Sequence, residues 1–172
     1  MDDLIAFNKP CGVICQFSEH EKHPCLKDYV DRPGFYPAGR LDTDSEGLLL
    51  LTDNGVLQAQ IADPKFKREK TYWAQVEGSL DEEKLDLLRN GMDLGGFVTR
   101  PAKVRLLEAG EADILWPRNP PVRMRKTVPD FWLEIRIAEG KNRQVRRMTA
   151  KAGYPCLRGG IQLGESLPDD RQ

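Results

Sequence analysis

The segment GRLDTDSEGLLLLTDNG, residues 39–55, combines four carboxylates with an uninterrupted run of four leucines. A continuous apolar run of this length, bounded by turn residues, is typical of a strand that is buried on both faces. Residues 47–51 are therefore predicted to form such a strand, and Asp42 lies in the segment that enters it. The segment predicts a sheet at the centre of the fold and leaves the purpose of its acids open.

Other strand patterns lie on either side of this segment. Residues 4–7 form a short apolar run. Residues 71–76 and 131–137 alternate between mainly apolar and more polar side chains, as buried and exposed strand positions do. Two helical segments are interspersed among these strands without a regular βαβ alternation. This order predicts an α+β fold with a mixed, largely antiparallel sheet and flanking helices.

The first predicted helix follows Ser79 and has acids in its first turn. The second is capped by Asn142, ends at Gly153, and is crowded with cations, namely Lys141, Arg143, Arg146, Arg147 and Lys151. Three of these arginines lie in its first half, where the helix dipole disfavours positive charge and like charges repel. Local stability does not explain this pattern, so we expect an anionic partner; a solvated basic face balanced by acids elsewhere is the alternative.

The charge distribution along the 172 residues agrees with such a partner. The formal net charge is −1, but residues 1–96 contain 11 Lys/Arg and 18 Asp/Glu, whereas residues 97–151 contain 13 and 6. A basic surface confined to one part of a chain is typical of nucleic-acid binding. Neither a run of about 18 apolar residues nor the basic start of a signal peptide is present, so we expect a cytoplasmic protein with reduced cysteines.

Three kinds of metal site were considered for the acidic and cysteine-rich segments. A calcium loop starting at Asp42 would need a bidentate Glu at its twelfth position, where Asp53 stands, and a preceding helix, where prolines and glycines stand. A zinc site at residues 11–25 would need a Cys-x2-Cys knuckle or ligands that bracket a loop, and it has neither. A two-metal nuclease site built from Asp42, Asp44 and Glu46 would need further ligands and stays a distant alternative.

Four blocks of sequence, in this order, resemble the bacterial rRNA pseudouridine synthases of the RsuA type. The blocks are NKP at residues 8–10, GRLDTDSEGLLLLTDNG at 39–55, KTYWAQVEG at 70–78 and EGKNRQVRRM at 139–148. The loop LWPRNPPVRMRK, residues 115–126, narrows the likeness to the RluE branch, which modifies 23S rRNA. The resemblance implies the pseudouridine synthase fold and the conversion of a uridine to pseudouridine without a metal or an organic cofactor.

The resemblance also assigns catalytic roles. Asp42 matches the essential aspartate, which attacks the sugar C1′ or takes a proton from C2′ to break the glycosidic bond. Arg146 matches the arginine that pairs with this aspartate; a carboxylate buried against a nucleotide needs a nearby cation to stay ionised. Tyr72 matches the tyrosine that stacks on the target base, although its alternation alone would indicate an ordinary sheet tyrosine.

A basic surface is expected to hold the RNA around this site. Arg40 beside Asp42 is expected to fill the gap left by a flipped nucleotide or to bind a phosphate. Further RNA contacts are predicted for Lys70, Arg118, Arg123, Lys141, Arg143 and Arg147. Lys9, by contrast, stands in an ordinary Lys-Pro turn. The expected partner is large-subunit ribosomal RNA, bound by a monomer.

Two departures from the family pattern qualify the resemblance. We expect the protein to lack the N-terminal S4-type RNA-binding module that most members carry, as the RluE branch does. After residue 158 the chain reads GGIQLGESLPDDRQ in place of the family's last strand. We therefore predict a catalytic domain over residues 1–158 and a mobile tail over 159–172. An RNA-binding protein without catalysis, disabled by the altered end, is the main alternative function.

Overall fold

The computed structural model describes residues 3–66, 68–125, 127–141 and 143–165. Along the chain these residues form seven strands and three α-helices: β1 (Leu4–Lys9), β2 (Tyr36–Ala38), β3 (Gly47–Thr52), α1 (Gly55–Ala62), β4 (Lys70–Glu77), α2 (Glu82–Arg89), β5 (Lys103–Leu106), β6 (Asp130–Ile137), α3 (Gln144–Lys151) and β7 (Cys156–Glu165). The predicted α+β class is confirmed. Within these residues no helix is long and apolar enough to cross a bilayer. The elements divide into two compact units, one within Met1–Arg68 and the other Glu69–Glu165.

The first unit is built around β3, which pairs antiparallel with both β1 and β2. Leu49 and Leu51 point into one apolar cluster, while Leu50 points into another on the opposite face of the strand. The leucine run therefore forms a strand buried on both faces, as predicted. Helix α1, which the sequence patterns did not predict, follows directly and begins where the Asn54 side chain accepts hydrogen bonds from the N–H groups of Val56 and Leu57.

The second unit contains a four-stranded antiparallel sheet in the order β7-β4-β6-β5. Helices α2 and α3 cover one face of this sheet, where Leu88 and Met148 pack with Leu133 and Ile135 in the larger core. Helix α2 begins at Glu82 with Asp81 as its cap, two residues after the predicted start that directly follows Ser79. The predicted cap of α3, Asn142, lies outside the described residues.

Strand β7 corrects the prediction that the chain leaves the fold at residue 159. It runs through Glu165 and pairs with β4 along its length, so the prediction is wrong for residues 159–165; residues 166–172 lie outside the described part of the chain. The glycine-rich sequence misled the prediction because its glycines form a bulge. Gly159 and Gly160 place an extra residue opposite Ala74, and Gly160 has a φ of 56°.

A polar network covers part of the sheet face opposite the helices. Glu134 on β6 accepts a hydrogen bond from the indole N–H of Trp73 at 3.2 Å and from Arg105 Nε at 3.0 Å. Arg136 Nε lies 3.3 Å from the same carboxylate. The Arg105 hydrogen bonds, joined by the Trp73 N–H and the charge of Arg136, hold the pKa of Glu134 below its usual 4.5. The buried carboxylate is thus stabilised as an anion in the folded state.

Glu134→Gln is expected to reduce the acid sensitivity of the fold. In the unfolded chain Glu134 takes up its proton near its usual pKa of 4.5, before the folded chain does. Its contribution to stability is therefore complete above that pH and is lost as the pH falls through the lower folded-state pKa. Urea unfolding between pH 3 and 7 measures this, with the exposed Glu108→Gln as the matched control. Equal pH slopes for wild type and Glu134→Gln would contradict the prediction.

Candidate active site

The turn that leads into β3 carries Asp42 in a half-buried position and Arg40 in an exposed one. Between them, Leu41 is buried in the core of the first unit. The N–H of Ser45 donates to the carbonyl of Asp42 at 3.0 Å and closes the turn. A buried residue on one side and a closed turn on the other therefore fix the backbone on which the Asp42 carboxylate stands.

A buried lysine, Lys9 at the end of β1, ties this turn to the neighbouring loop. Its side chain is fully buried, and its Nζ donates to the carbonyls of Pro10 and Val13 at 2.8 Å and of Thr43 at 3.2 Å. The N–H of Gly12 also donates to the Thr43 carbonyl, at 2.7 Å. Because Thr43 directly follows Asp42, the ammonium group anchors the backbone next to the predicted catalytic carboxylate.

The surroundings of Lys9 place opposing influences on its charge. Burial lowers the pKa of the ammonium group, whereas the thiols of Cys15 and Cys11 and the carboxylates of Asp44 and Glu46 act in the opposite direction. Glu46 is itself buried. Two of the acids next to Asp42 thus contribute to the electrostatic environment of the anchoring lysine, a role that the sequence analysis did not assign to them.

In the second unit, the structure brings Tyr72 and Arg146 to the same β-bulge. A Cβ placed on Gly159 would lie 2.7 Å from the Cζ of Arg146, so the bare glycine leaves the space that the guanidinium group occupies. A Cβ on the next residue, Gly160, would lie 4.0 Å from the Cδ1 of Tyr72. Asp42 belongs to the first unit, and its pairing with Arg146 stays a prediction.

The predicted RNA-binding residues of the basic helix differ in their surroundings. Arg143 precedes the first residue of α3, is exposed, and has a left-handed φ of 53°, which is rare for residues other than glycine. Arg147 Nη2 donates to the carbonyl of Leu94 at 2.7 Å. Lys141 is exposed. Arg143 and Arg147 lie at the start and in the N-terminal half of the helix, as predicted for the arginines.

The remaining predicted RNA contacts lie on β4 and on the loop before β6. Arg118 is half-buried and donates through Nε to the carbonyl of Pro120 at 2.8 Å and through Nη1 to that of Leu157 at 3.4 Å. These bonds attach the loop to β7 and give Arg118 a structural role. Arg123 is exposed, and Lys70 is half-buried at the start of β4.

Possible metal ligands are dispersed in the part of the chain that the structure describes. No three His, Cys, Asp or Glu side chains there lie close enough together to hold a metal ion. The rings of His20 and His23 stack with their centroids 5.5 Å apart, and the four cysteines are free thiols. Neither the cysteine-rich segment nor the acids next to Asp42 form such a group.

Comparison with known proteins identifies the family. The model of the RNA pseudouridylate synthase family matches residues 3–151, which include Asp42, Tyr72 and Arg146. The chain belongs to this family. The resemblance seen in four short blocks of sequence therefore extends over most of the pseudouridine synthase chain.

Individual relatives agree with this membership. The chain is 55% identical over 157 residues to the ribosomal large subunit pseudouridine synthase E of Xanthomonas axonopodis pv. citri, covering 90% of this chain and 82% of the relative. It is 48% identical over 171 residues to the protein of that name from Vibrio parahaemolyticus, covering 96% and 71%. A crystal structure of a pseudouridylate synthase, 27% identical, superposes with a TM-score of 0.76 over 99% of this chain and 66% of its own.

Two features of this pseudouridine synthase were not found by sequence reasoning. One is the anchoring role of Lys9. The sequence contained a signal for it: strand alternation places Lys9 on the same face of β1 as Ile5 and Phe7, which pack against the core. The other is the space at Gly159 for Arg146, for which the sequence gives no signal because the contact joins α3 to β7.

Proposed function

We propose that the chain isomerises a specific uridine in 23S ribosomal RNA to pseudouridine, acting as a monomer in the cytoplasm. Two of its relatives, both named large-subunit pseudouridine synthases, are 55% and 48% identical to it. The observation that carries the proposal is a half-buried aspartate on a turn anchored by a buried cation, in a chain of this family. Such anchoring holds a reacting group in place, which is a large part of what catalysis requires.

In the proposed reaction the uracil is detached and rejoined without net oxidation or reduction. The Asp42 carboxylate attacks C1′ of the ribose or takes the proton from C2′, and the bond between C1′ and N1 of the base breaks. The uracil then turns and C5 bonds to C1′, while the carboxylate leaves C1′ or returns the proton to C2′. The C5 proton is removed and N1 gains one. These steps need one carboxylate and no cofactor.

Arg146 and Tyr72 support this chemistry in the proposal. The guanidinium group of Arg146 keeps the carboxylate of Asp42 ionised in a site from which the bound nucleotide excludes water. Tyr72 stacks on the target base and assists removal of the C5 proton. Arg40 and the cations of α3 hold phosphates and so offset the few kcal/mol that flipping a nucleotide costs.

One assay tests the reaction. The protein is incubated in EDTA with 23S rRNA that lacks this modification, and pseudouridine is mapped along the product. We expect a single modified position. Binding without product would indicate an RNA-binding protein instead, and strand cleavage that requires added Mg²⁺ would indicate a nuclease; either result overturns the proposal.

Arg146→Gln is expected to lower the rate of pseudouridine formation by about 10²-fold, the usual effect of losing one electrostatic group in a water-excluded site. Arg146→Lys should recover part of this rate, because it restores the charge without the planar fork. Single-turnover rates at saturating enzyme measure the effect. Arg136→Gln is the control, since Arg136 contacts the Glu134 network on the sheet face opposite α3. A normal rate in Arg146→Gln would contradict the assignment.

A further inference from the structure

A small hairpin between α2 and β5 projects beside the basic helix α3. Asp93 and Val98 form an antiparallel bridge, and the N–H of Leu94 donates to the carbonyl of Phe97 at 2.9 Å. The tip consists of Gly95 and Gly96, both exposed and with φ values of 82° and 92°. This conformation favours glycine, so the tight hairpin follows from the local sequence.

Two cations of α3 attach this hairpin to the helix. Arg147 donates to the carbonyl of Leu94 at 2.7 Å, and the ammonium group of Lys151 donates to the carbonyl of Asp93. The hairpin is therefore held next to α3, in part through Arg147, which directly follows Arg146 in sequence. Leu94 also packs against the larger core, so charged and apolar contacts together fix the location of the hairpin.

The ring of Phe97 is bordered by positive charge. Lys141 Nζ lies 5.4 Å and Arg147 Cζ lies 5.9 Å from its centroid, both within the range of cation–π attraction. The ring is only half-buried, and the adjacent Val98 is 68% exposed. A half-exposed aromatic ring with two cations close to it has the composition of a site for a nucleic-acid base and its phosphates.

Two neighbouring carboxylates are directed toward hydrogen-bond donors of the protein itself. Asp93 accepts a hydrogen bond from the N–H of Gly95 at 2.8 Å. Glu139 accepts from the N–H of Arg100 at 3.1 Å and from the side chain of Gln144 at 3.3 Å. Lys141 and Arg147 lie against the Phe97 ring, and an aromatic ring with adjacent cations suits the bases and phosphates of single-stranded RNA.

We infer that this hairpin binds a single-stranded segment of the substrate RNA beside the target uridine, with Phe97 stacking on a base and Lys141 and Arg147 contacting phosphates. The identity of that RNA rests on the proposed function; the binding itself does not. RNA-binding proteins recognise unstacked bases in loops in large part by stacking them on aromatic side chains. The hairpin extends the contact surface beyond the residues that the sequence patterns indicated.

Phe97→Leu tests the stacking role, because leucine keeps an apolar side chain at this position of the hairpin and removes only the aromatic face. We expect its Kd for a 23S rRNA fragment to rise about fivefold to a hundredfold. Phe97→Tyr should bind within about twofold of wild type, since it retains the ring. Val98→Ala, on the same exposed hairpin, is the matched control and should leave the Kd unchanged. Equal affinity of Phe97→Leu and wild type would overturn the inference.

Photo-crosslinking gives a readout that does not depend on any substitution. A 23S rRNA fragment with randomly incorporated 4-thiouridine is bound to the wild-type protein, irradiated and digested. We expect crosslinks on the peptide that contains residues 93–98. Their absence, with crosslinks elsewhere on the protein, would overturn the inference and would leave the hairpin as a surface for a protein partner.

These experiments separate this inference from the proposed function. If the wild-type protein makes no pseudouridine but Phe97→Leu binds RNA more weakly than wild type, the proposed reaction is contradicted and the hairpin contact is supported. If Phe97→Leu modifies 23S rRNA with the KM and kcat of wild type, the reaction is supported and the contact is contradicted.

Discussion

Asp42→Asn is expected to abolish pseudouridine formation, lowering the rate by roughly 10⁴-fold or more, as removal of a covalent or basic catalytic group does in other enzymes. Asparagine has nearly the same shape, but its amide neither attacks C1′ nor accepts a proton from C2′. The Asp42 carbonyl that accepts from the N–H of Ser45 and the Thr43 carbonyl that accepts from Lys9 Nζ are backbone groups, so both hydrogen bonds stay intact. The fold and the affinity for RNA should therefore change little.

The measurement is a single-turnover assay on unmodified 23S rRNA, with the thermal unfolding temperature and the RNA Kd recorded for the same protein. Asp53→Asn is the matched control, because Asp53 is an exposed acid at the other end of the same segment. It should retain the wild-type rate. A rate for Asp42→Asn within tenfold of wild type would remove Asp42 from the chemical step.

The central strand was predictable because its signal is local. Four consecutive leucines between turn residues allow few structures other than a strand covered on both sides, and Leu49 and Leu50 do point into different clusters. The alternating patterns of β4 and β6 are local in the same sense. Helix α1 gave no such signal, because Leu57 and Ile61 supply little of an apolar stripe and its start depends on the cap by Asn54.

Strand β7 could not be predicted for a different reason. Glycines usually mark loops, and the sequence does not show whether a glycine ends a strand or forms a bulge within it. The register against β4 decides this: the extra residue opposite Ala74 and the guanidinium group of Arg146 over Gly159 require residues without a side chain there. Both contacts join segments that are distant in sequence.

The choice of Asp42 among four acids also depended on more than composition. Periodicity and charge show only that acids precede a buried strand, and the resemblance to a family singles out one of them. The structure assigns two of the other acids a different role, since Asp44 and Glu46 act on the charge of Lys9, whose ammonium group binds the carbonyl of Thr43. The support of the site is therefore visible only in three dimensions.

Lys9→Met is expected to impair both stability and activity. Methionine fills a similar volume, but it leaves the carbonyls of Pro10, Val13 and Thr43 without their donor and removes the cation near Asp44 and Glu46. Removing a buried charged group and leaving its hydrogen-bond partners unpaired lowers the free energy of unfolding by about 3 kcal/mol or more. For a chain of this length, that corresponds to a fall in Tm of roughly 10 °C.

The effect on activity distinguishes anchoring from stability alone. Well below its Tm, Lys9→Met should show a kcat lowered about tenfold or more with a nearly unchanged KM, because displacement of the turn misplaces the reacting carboxylate without removing RNA contacts. The exposed Lys22→Met is the control for loss of a lysine charge and should match wild type in both measurements. A variant with a lower Tm but a normal kcat would mean that Lys9 stabilises the first unit without positioning Asp42. A normal Tm would contradict the buried hydrogen bonds themselves.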